Sequence, residues 1–409
     1  MKILQLAVPV DKPDLQLKAG VAYVMSDPIA QQLANIHRGH VQRFEIFEPY
    51  YKPYMGQDLT KKSIIIFRTG GFGDLLFITP IVEHLKRKYP TCKISVATSD
   101  RFKDVWKNNP NIERMSTSYS LPLPLSLIEK NDYVGIFEGT IENFKDKDQY
   151  CAIDSFAYSL GIFDMPLELK RPRYYLTNSE INAAKNKVRS SVGLNIQTTP
   201  YVCFQWKSSS RLRDYPYEKM ITAMYKIQET TGYKIVILTH PNYRGIIEHE
   251  LDMYKNFVRE DKKELKYINL AGVTSFRESA AVMALSTGLV GIDSSLAHIA
   301  GALSLPSVTM YGPFKAEWRT IYNKNNISLQ RQDVCINAPC AYHTPPETQD
   351  GLPFELCSDN KRLPIRMFDK FCHAMDAISP DEVHDAFIRL LKLQRDNELP
   401  IPREFKCHY

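Results

Sequence analysis

The sequence predicts an α/β protein with two parallel-sheet units. Three observations lead there. From Ser63 onward, short apolar runs alternate with segments of helical periodicity; the alternation restarts at Tyr201; and 409 residues are too many for one ordinary core. A helix between consecutive apolar strands is the crossover a parallel sheet needs, so helices cover both of its faces.

Residues 1–60 read as an N-terminal extension with one short strand (Lys2 to Val8) and one helix (Pro28 to His37). The aromatic, proline-bearing stretch from Phe44 to Tyr54 cannot be a regular helix. It reads as extended chain packed on the first unit, or else as a partner or acceptor surface. The first unit is assigned to residues 61–195, with Ser63–Phe67 as a buried strand. A glycine-rich turn, Arg68-Thr69-Gly70-Gly71-Phe72-Gly73-Asp74, leads into a helix from Leu75 to Tyr89 that stops at Pro90. Strands at Lys93–Thr98 and Tyr133–Phe137 follow, with a helix near Phe102 to Asn108.

A polar, helix-breaking passage from Val192 to Pro200 reads as the linker, and the second unit takes residues 196–330. Its expected strands are Tyr201–Gln205, Lys234–Leu238, Tyr267–Asn269, Thr287–Ile292 and Ser307–Tyr311, and its helices Tyr217–Thr230 and Ser275–Ser286. Residues 331–378 form a Cys-rich insertion with little periodicity, and residues 379–409 a terminal helix and tail. Ser379 caps that helix, Pro380 takes the first helical position, and Asp381 and Glu382 complement the dipole.

A net charge of +6 is too small to indicate nucleic acid by itself, and residues 1–60 balance six basic against six acidic side chains. The N-terminal apolar run is too short for a signal peptide, and no apolar stretch is long enough to span a bilayer. Eight cysteines in this length do not suggest a secreted disulfide scaffold. The expected location is therefore the cytoplasm.

Three places can carry chemistry. In Gly291-Ile292-Asp293-Ser294-Ser295-Leu296-Ala297-His298 a strand ends in small hydroxyls where a helix begins, a geometry that binds phosphate, although an ordinary capped βα turn reads equally well. The Gln205 to Pro216 loop joins hydroxyls to Lys207, Arg211 and Arg213, which suits a diphosphate or a solvated loop alike. The turn with Gly70, Gly71 and Gly73 is not a dinucleotide fingerprint, and its Asp74 is either a helix N-cap or a base.

Four separated segments, in order, resemble the ADP-heptose heptosyltransferases of glycosyltransferase family nine. They are Ile64 to Pro80, Trp206 to Pro216, Leu270 to Glu278, and Gly291 through Gly312-Pro313. The resemblance spans about Ser63 to Leu393 and implies a GT-B fold: two Rossmann-like domains facing across a cleft. The second domain would hold a nucleotide-diphospho-sugar and the first would meet the acceptor. The terminal helix commonly packs back across the first domain. Position by position, Asp74 matches the family's general base. Ser209 and Arg213 fall where a hydroxyl and a lysine contact the diphosphate, with Lys207 beside them. Asp293, Ser294, Ser295 and His298 fall on the donor turn, where the family usually has Asp-Thr-Gly; the extra side chain at Ser295 leaves less room for a phosphate. Thr239-His240-Pro241-Asn242 stands where an acidic residue for the ribose is usual.

The implied chemistry is inverting transfer of a heptose-like sugar, without a catalytic metal, to a hydroxyl on lipopolysaccharide core or protein. A hydroxylated DNA base is an alternative acceptor, with Lys86, Arg87, Lys88, Arg101 and Lys103 on the acceptor side and Tyr50, Tyr51 and Tyr54 as stacking groups. A nucleotide-sugar epimerase or hydrolase, or a silent binding scaffold, stays open too. Cys335, Cys340, Cys357 and Cys372 offer a tetrahedral thiolate set for structural zinc or iron, with His343 and His373 as substitutes. The set's position resembles the metal finger of autotransporter heptosyltransferases, which glycosylate proteins and form large homo-oligomers.

Overall fold

The computed structural model describes residues 2–46 with short gaps, 52–118, 123–138, 140, 150–257, 265–335, 338–340 and 372–396. Tyr50, Tyr51, His343, Cys357 and Cys407 lie outside the described residues. The chain divides into two compact units, Met1–Tyr175 and Leu176–Tyr409.

The first unit holds strands β1 (Lys2–Leu6), β2 (Val10–Lys12), β3 (Leu15–Leu17), β4 (Ala22–Met25), β5 (Val41–Ile46), β6 (Ser63–Phe67), β7 (Lys93–Ser99), β8 (Arg114–Ser118), β9 (Leu123–Pro124) and β10 (Tyr133–Ile136). Its parallel sheet runs β10-β6-β7-β8, with Ile136 opposite Phe67 and Phe67 opposite Ala97. Ile64 to Phe67 are buried without a break, the pattern of a strand covered on both faces. The order matters for function. From β6 the chain steps one way to β7 and β8, and β10 is added on the other side, so the sheet has a topological switch point between β6 and β10.

The N-terminal extension holds more sheet than its sequence suggests. β1 lies between β4 and β5 in an antiparallel sheet that recruits β9 from beyond residue 120. Leu4, Leu6, Ala30 and Leu33 form its core. A partner strand of two residues has no readable period, so β9 is settled by pairing alone. Val41–Ile46 is a strand in this sheet; farther along the same stretch, Tyr54 is buried and its N–H donates to Val134 O at 2.9 Å. The helix expected at Phe102 to Asn108 is a 3-10 turn, Asp100–Val105.

In the second unit β11 (Tyr201–Phe204), β12 (Lys234–Ile237), β13 (Tyr267–Asn269), β14 (Leu289–Ile292), β15 (Ser307–Tyr311) and β16 (Asn326–Gln330) form one parallel sheet. Its order is β13-β12-β11-β14-β15-β16, which puts the switch point between β11 and β14. The polar passage beginning at Val192 ends the helix Asn178–Val192 at left-handed Gly193. That helix belongs to the second unit, tied to the helix Phe276–Ala284 by Arg277–Glu180 (2.7 Å) and Lys187–Glu278 (2.7 Å).

The terminal helix Pro380–Arg395 starts at a capping box of Ser379 and Glu382. Val383, Phe387 and Leu390 bury against Tyr215, Met224, Ile227, Val308 and Met310. The described helix is therefore part of the second unit's own core. Its apolar stripe matches the helix Tyr217–Thr231 and the β15–β16 face beside it.

Candidate active site

The turn after β6 is built around Gly71, whose φ is +74°. Gly71 caps the helix Phe72–Lys88 with backbone only, so Asp74 is the third helical residue and not the N-cap. A Cβ at Gly71 would collide with the Asp74 carboxylate, which explains glycine there on steric as well as dihedral grounds. Gly70 faces open space, and Gly73 lies within the helix.

Asp74 is not loose. Arg68, buried at the end of β6, places Nη2 2.6 Å from Asp74 Oδ2, donates through Nε to Gly70 O (3.1 Å) and through Nη1 to Phe137 O (2.5 Å). Its guanidinium also stands over the Phe156 ring at 5.2 Å. One arginine therefore ties the carboxylate, the glycine turn and the end of β10 together. Asp74 keeps partial exposure, at 24 % of its side chain, as a proton acceptor requires. Beyond β10, Glu138 accepts from the N–H and the hydroxyl of Thr69.

At the second unit's switch point, Arg213 does the gathering. Its Nη1 donates to Asp293 O at 3.0 Å and its Nη2 to Ser209 Oγ at 3.1 Å. Ser294 donates to Gln205 Oε1, and Gln205 Nε2 donates to Lys207 O at 2.9 Å. The loops after β11 and β14 are thus stitched at the mouth of the helix Ser295–Leu303, whose first turn no side chain caps. Free N–H groups at a helix start, flanked by a guanidinium, can receive an anion.

Asp293 is buried, with His298 Nε2 3.3 Å from its Oδ1. Burial by itself raises its pKa. The close approach of His298, with the charges of Arg319 and Arg213, outweighs burial and holds the carboxyl well below the usual carboxylate range.

Comparisons with known proteins bear on the family and the fold. Residues 148–344 match glycosyltransferase family 9 (heptosyltransferase). That stretch, just under half of the chain, is a glycosyltransferase family 9 domain. It is 21 % identical over 305 residues to lipooligosaccharide heptosyltransferase 2 of Haemophilus influenzae, covering 63 % of this chain and 85 % of that protein. The fold matches a family 9 glycosyl transferase from Veillonella parvula with a TM-score of 0.61 at 18 % identity, covering 82 % of this chain and 99 % of the other. It also matches the iron-containing dodecameric glycosyltransferase TibC from enterotoxigenic E. coli, with a TM-score of 0.55 at 16 % identity over 83 % and 81 % of the two chains. The two α/β units are those of the GT-B class.

Not every residue singled out in the sequence lies in these two clusters. Lys207 turns into the core, its Nζ 2.5 Å from Glu250 Oε1, while Glu250 Oε2 accepts from Trp206 Nε1 at 2.9 Å. Both members of the pair are buried. Lys207 thus anchors the loop from beneath. Next to it Asp214 accepts from the Ser208 N–H at 2.7 Å, and burial pushes its carboxyl up to about 6.

Of the basic residues on the first unit, Lys86 donates to Cys92 O, Arg87 pairs with Glu83 and Lys88 with Asp164. Lys103 pairs with Asp100, and Arg101 stands over Phe102. These partners are those of an ordinary helix face. Cys335 and Cys340 are half-buried and Cys372 is buried, its thiol raised first by burial and further by the nearby Cys340 and Cys335. Among the described residues no three His, Cys, Asp or Glu groups form a metal-holding cluster, and Cys357 lies outside them. No described helix is long and apolar enough to cross a membrane.

Arg68, Glu138, Gln205 and Arg319 join the candidate site in the structure and were not singled out from the sequence. Arg68 opens the glycine turn and could have been flagged as a cation beside Asp74. Glu138 and Arg319 act on residues at least 26 positions away and leave no local signal.

Proposed function

We propose that this glycosyltransferase moves a heptose-like sugar, with inversion, from a nucleoside-diphosphate donor to a hydroxyl on lipopolysaccharide core or on a protein. The observation that carries the reading is Arg213 reaching Ser209 and the Asp293 carbonyl at the uncapped start of the helix Ser295–Leu303. Negative charge grows on the departing diphosphate in the transition state. Fixed N–H and guanidinium donors stabilise it where it develops. Asp74 is the proposed base, drawing the proton from the acceptor hydroxyl as that oxygen attacks the anomeric carbon. TibC has been seen in complex with ADP-D-β-D-heptose, which makes ADP-heptose the first donor to test.

A protein acceptor is favoured by one observation, the cysteine-bearing segments at Cys335–Cys340 and Cys372 in a chain with the fold of iron-containing TibC. Cys335, Cys340, Cys357 and Cys372 would hold a structural zinc or iron. The chemistry of the donor set fits: Cys335 and Cys340 both act on the Cys372 thiol, and soft sulfur suits either metal. Bound there, the metal would supply cross-linking of the insertion and no step of the transfer. The dodecameric state of TibC makes a homo-oligomer part of the same proposal, and the cytoplasm is the proposed location.

The test is mass spectrometry of transfer reactions with ADP-heptose and other nucleotide sugars, each offered with truncated lipopolysaccharide core, a candidate protein and hydroxymethylated DNA. A sugar-sized gain on core or protein, lost in Asp74→Asn, is expected. Donor turnover without any acceptor gain would replace the reading by an epimerase or hydrolase, and a gain on DNA would replace the acceptor. Elemental analysis should find one zinc or iron per chain, and none in Cys335→Ser/Cys372→Ser.

A further inference from the structure

The loops that leave β6 and β10 flank the switch point of the first sheet, the position where parallel sheets bind ligands. The β6 side carries Asp74. The β10 side carries Glu138, half-buried, directly after Phe137, whose N–H donates to Phe67 O at 2.9 Å. Glu138 Oε1 is fixed by two donors of one residue, the Thr69 N–H and the Thr69 hydroxyl, the latter at 2.7 Å. Glu138 Oε2 has no hydrogen bond and no ion pair among the described residues. The neighbouring cation Arg68 pairs with Asp74 and donates to Gly70 O and Phe137 O. Arg68 therefore offsets the charge of Asp74, and among the described residues no cation pairs with Glu138.

We propose that Glu138 is an acceptor-binding residue. Its Oε2 takes a hydrogen bond from a hydroxyl next to the one that Asp74 deprotonates, and it selects against acceptors carrying an anion there. The inference rests on the reading of Asp74 as the base. A carboxylate held by one oxygen and open at the other accepts a hydroxyl with little loss of freedom, and such charge-assisted bonds are about twice as strong as neutral ones. The same open charge repels a phosphate or carboxylate at that point, which is discrimination by repulsion as well as attraction. A carboxylate needed only to fasten the turn would have no use for an unpaired second oxygen at the strand ends.

The test uses the full-length protein with ADP present. The probe is deacylated lipopolysaccharide core oligosaccharide, before and after phosphatase treatment, with binding read by calorimetry and transfer by steady-state kinetics. Wild type should bind the dephosphorylated probe roughly tenfold more tightly than the phosphorylated one. Glu138→Gln keeps an oxygen for Thr69 and should narrow that gap to about threefold, by weaker binding of the dephosphorylated probe and tighter binding of the phosphorylated one. Thr69→Val, which removes one anchor and leaves Oε2 in place, should keep the gap. A gap unchanged in Glu138→Gln, binding of neither probe by wild type, or a fall in kcat with both affinities intact would overturn the proposal. Failure of the base reading shows elsewhere: Asp74→Asn would then retain turnover, while the calorimetric comparison still decides Glu138.

Discussion

Arg68 Nη2 stands 2.6 Å from Asp74 Oδ2, and the same guanidinium binds Gly70 O and Phe137 O. The carboxylate in the first turn of the helix Phe72–Lys88 is thus oriented by a buried fork just after strand β6, with the turn between them held to the same group. A lysine can keep the charge but cannot serve three acceptors in these directions. Arg68→Lys should lower kcat about tenfold and Arg68→Met about a hundredfold or more, with donor KM little changed. Steady-state kinetics with the donor identified by mass spectrometry checks this. A kcat for Arg68→Met within twofold of wild type would remove Arg68 from the positioning of Asp74.

Arg213 spans two loops, from Ser209 Oγ to Asp293 O. If the diphosphate sits at the helix start beside it, Arg213→Lys should raise donor KM about tenfold through the lost fork, and Arg213→Ala more. Ser209→Ala should cost less, since a neutral hydroxyl bond contributes about 1 kcal/mol. Nucleoside diphosphate affinities by calorimetry should fall in the same order. Equal affinities for all three variants would move the anion elsewhere.

Lys207 gives a prediction of another kind. Its partner Glu250 is buried and also accepts from Trp206 Nε1, so Lys207→Met strands a buried carboxylate. Breaking one side of a buried pair costs about 3–5 kcal/mol, whereas replacing both sides can be nearly neutral. Lys207→Met should therefore unfold at clearly lower urea, and Lys207→Met/Glu250→Gln should recover most of the loss. A loss of donor affinity in Lys207→Met with unchanged stability would instead put Lys207 on the diphosphate.

Asp293 is buried yet held in its ionised form by His298, Arg319 and Arg213. Its folded pKa is depressed below the ordinary 3.8, so the sign follows. This group's stabilisation is present above pH ~4 and is lost as pH falls below it, because the unfolded chain then binds the proton first. In His298→Gln the opposing effect of burial dominates. That variant should be less stable at pH 7 by about 3 kcal/mol and should lack this group's acid-side loss. Asp214 runs the other way: raised to about 6, it costs stability as pH rises from ~4 to ~6, and Asp214→Asn should flatten that limb. Urea midpoints between pH 3 and 7 measure both.

How much of this was legible in the sequence differs by element. Ser63–Phe67, Lys93–Ser99 and Ser307–Tyr311 could be read because buried parallel strands are continuous apolar runs. Arg114–Ser118 and Asn326–Gln330 could not, since both are edge strands with mixed side chains. The helix Asn178–Val192 went unread although Thr177 and Glu180 form a capping box, because its apolar face is only Ile181, Ala184 and Val188. The turns after β11 and β14 were visible, since their residues follow directly on strands. Lys207 was not, because whether a loop cation faces an anion or a buried glutamate depends on Glu250, 43 positions along the chain. Glu138 was hidden for the same reason, as its partner Thr69 lies one strand over in space and 69 positions away in sequence.

Gly312 links the loop after β15 to the cysteine-bearing return. A Cβ at this position would lie 2.5 Å from Met375 Cγ and 3.1 Å from Cys372 Sγ. From the other side, Gln332 Nε2 donates to Gly312 O (3.2 Å) and Phe314 O (2.8 Å), so the loop is gripped between two segments that carry cysteines. The same loop leads to Arg319, one of the charges acting on Asp293. Gly312→Ala forces Met375 and Cys372 outward, an overpacking that costs roughly 1–3 kcal/mol. At about 2–4 °C per kcal/mol for a unit of this size, Tm should fall by about 5 °C. Met375→Ala opens the space that the new methyl needs, so Gly312→Ala/Met375→Ala should be more stable than Gly312→Ala alone. If the second change only adds to the loss, the collision is relieved by movement of the 312–319 loop, and donor affinity should then fall in Gly312→Ala through Arg319.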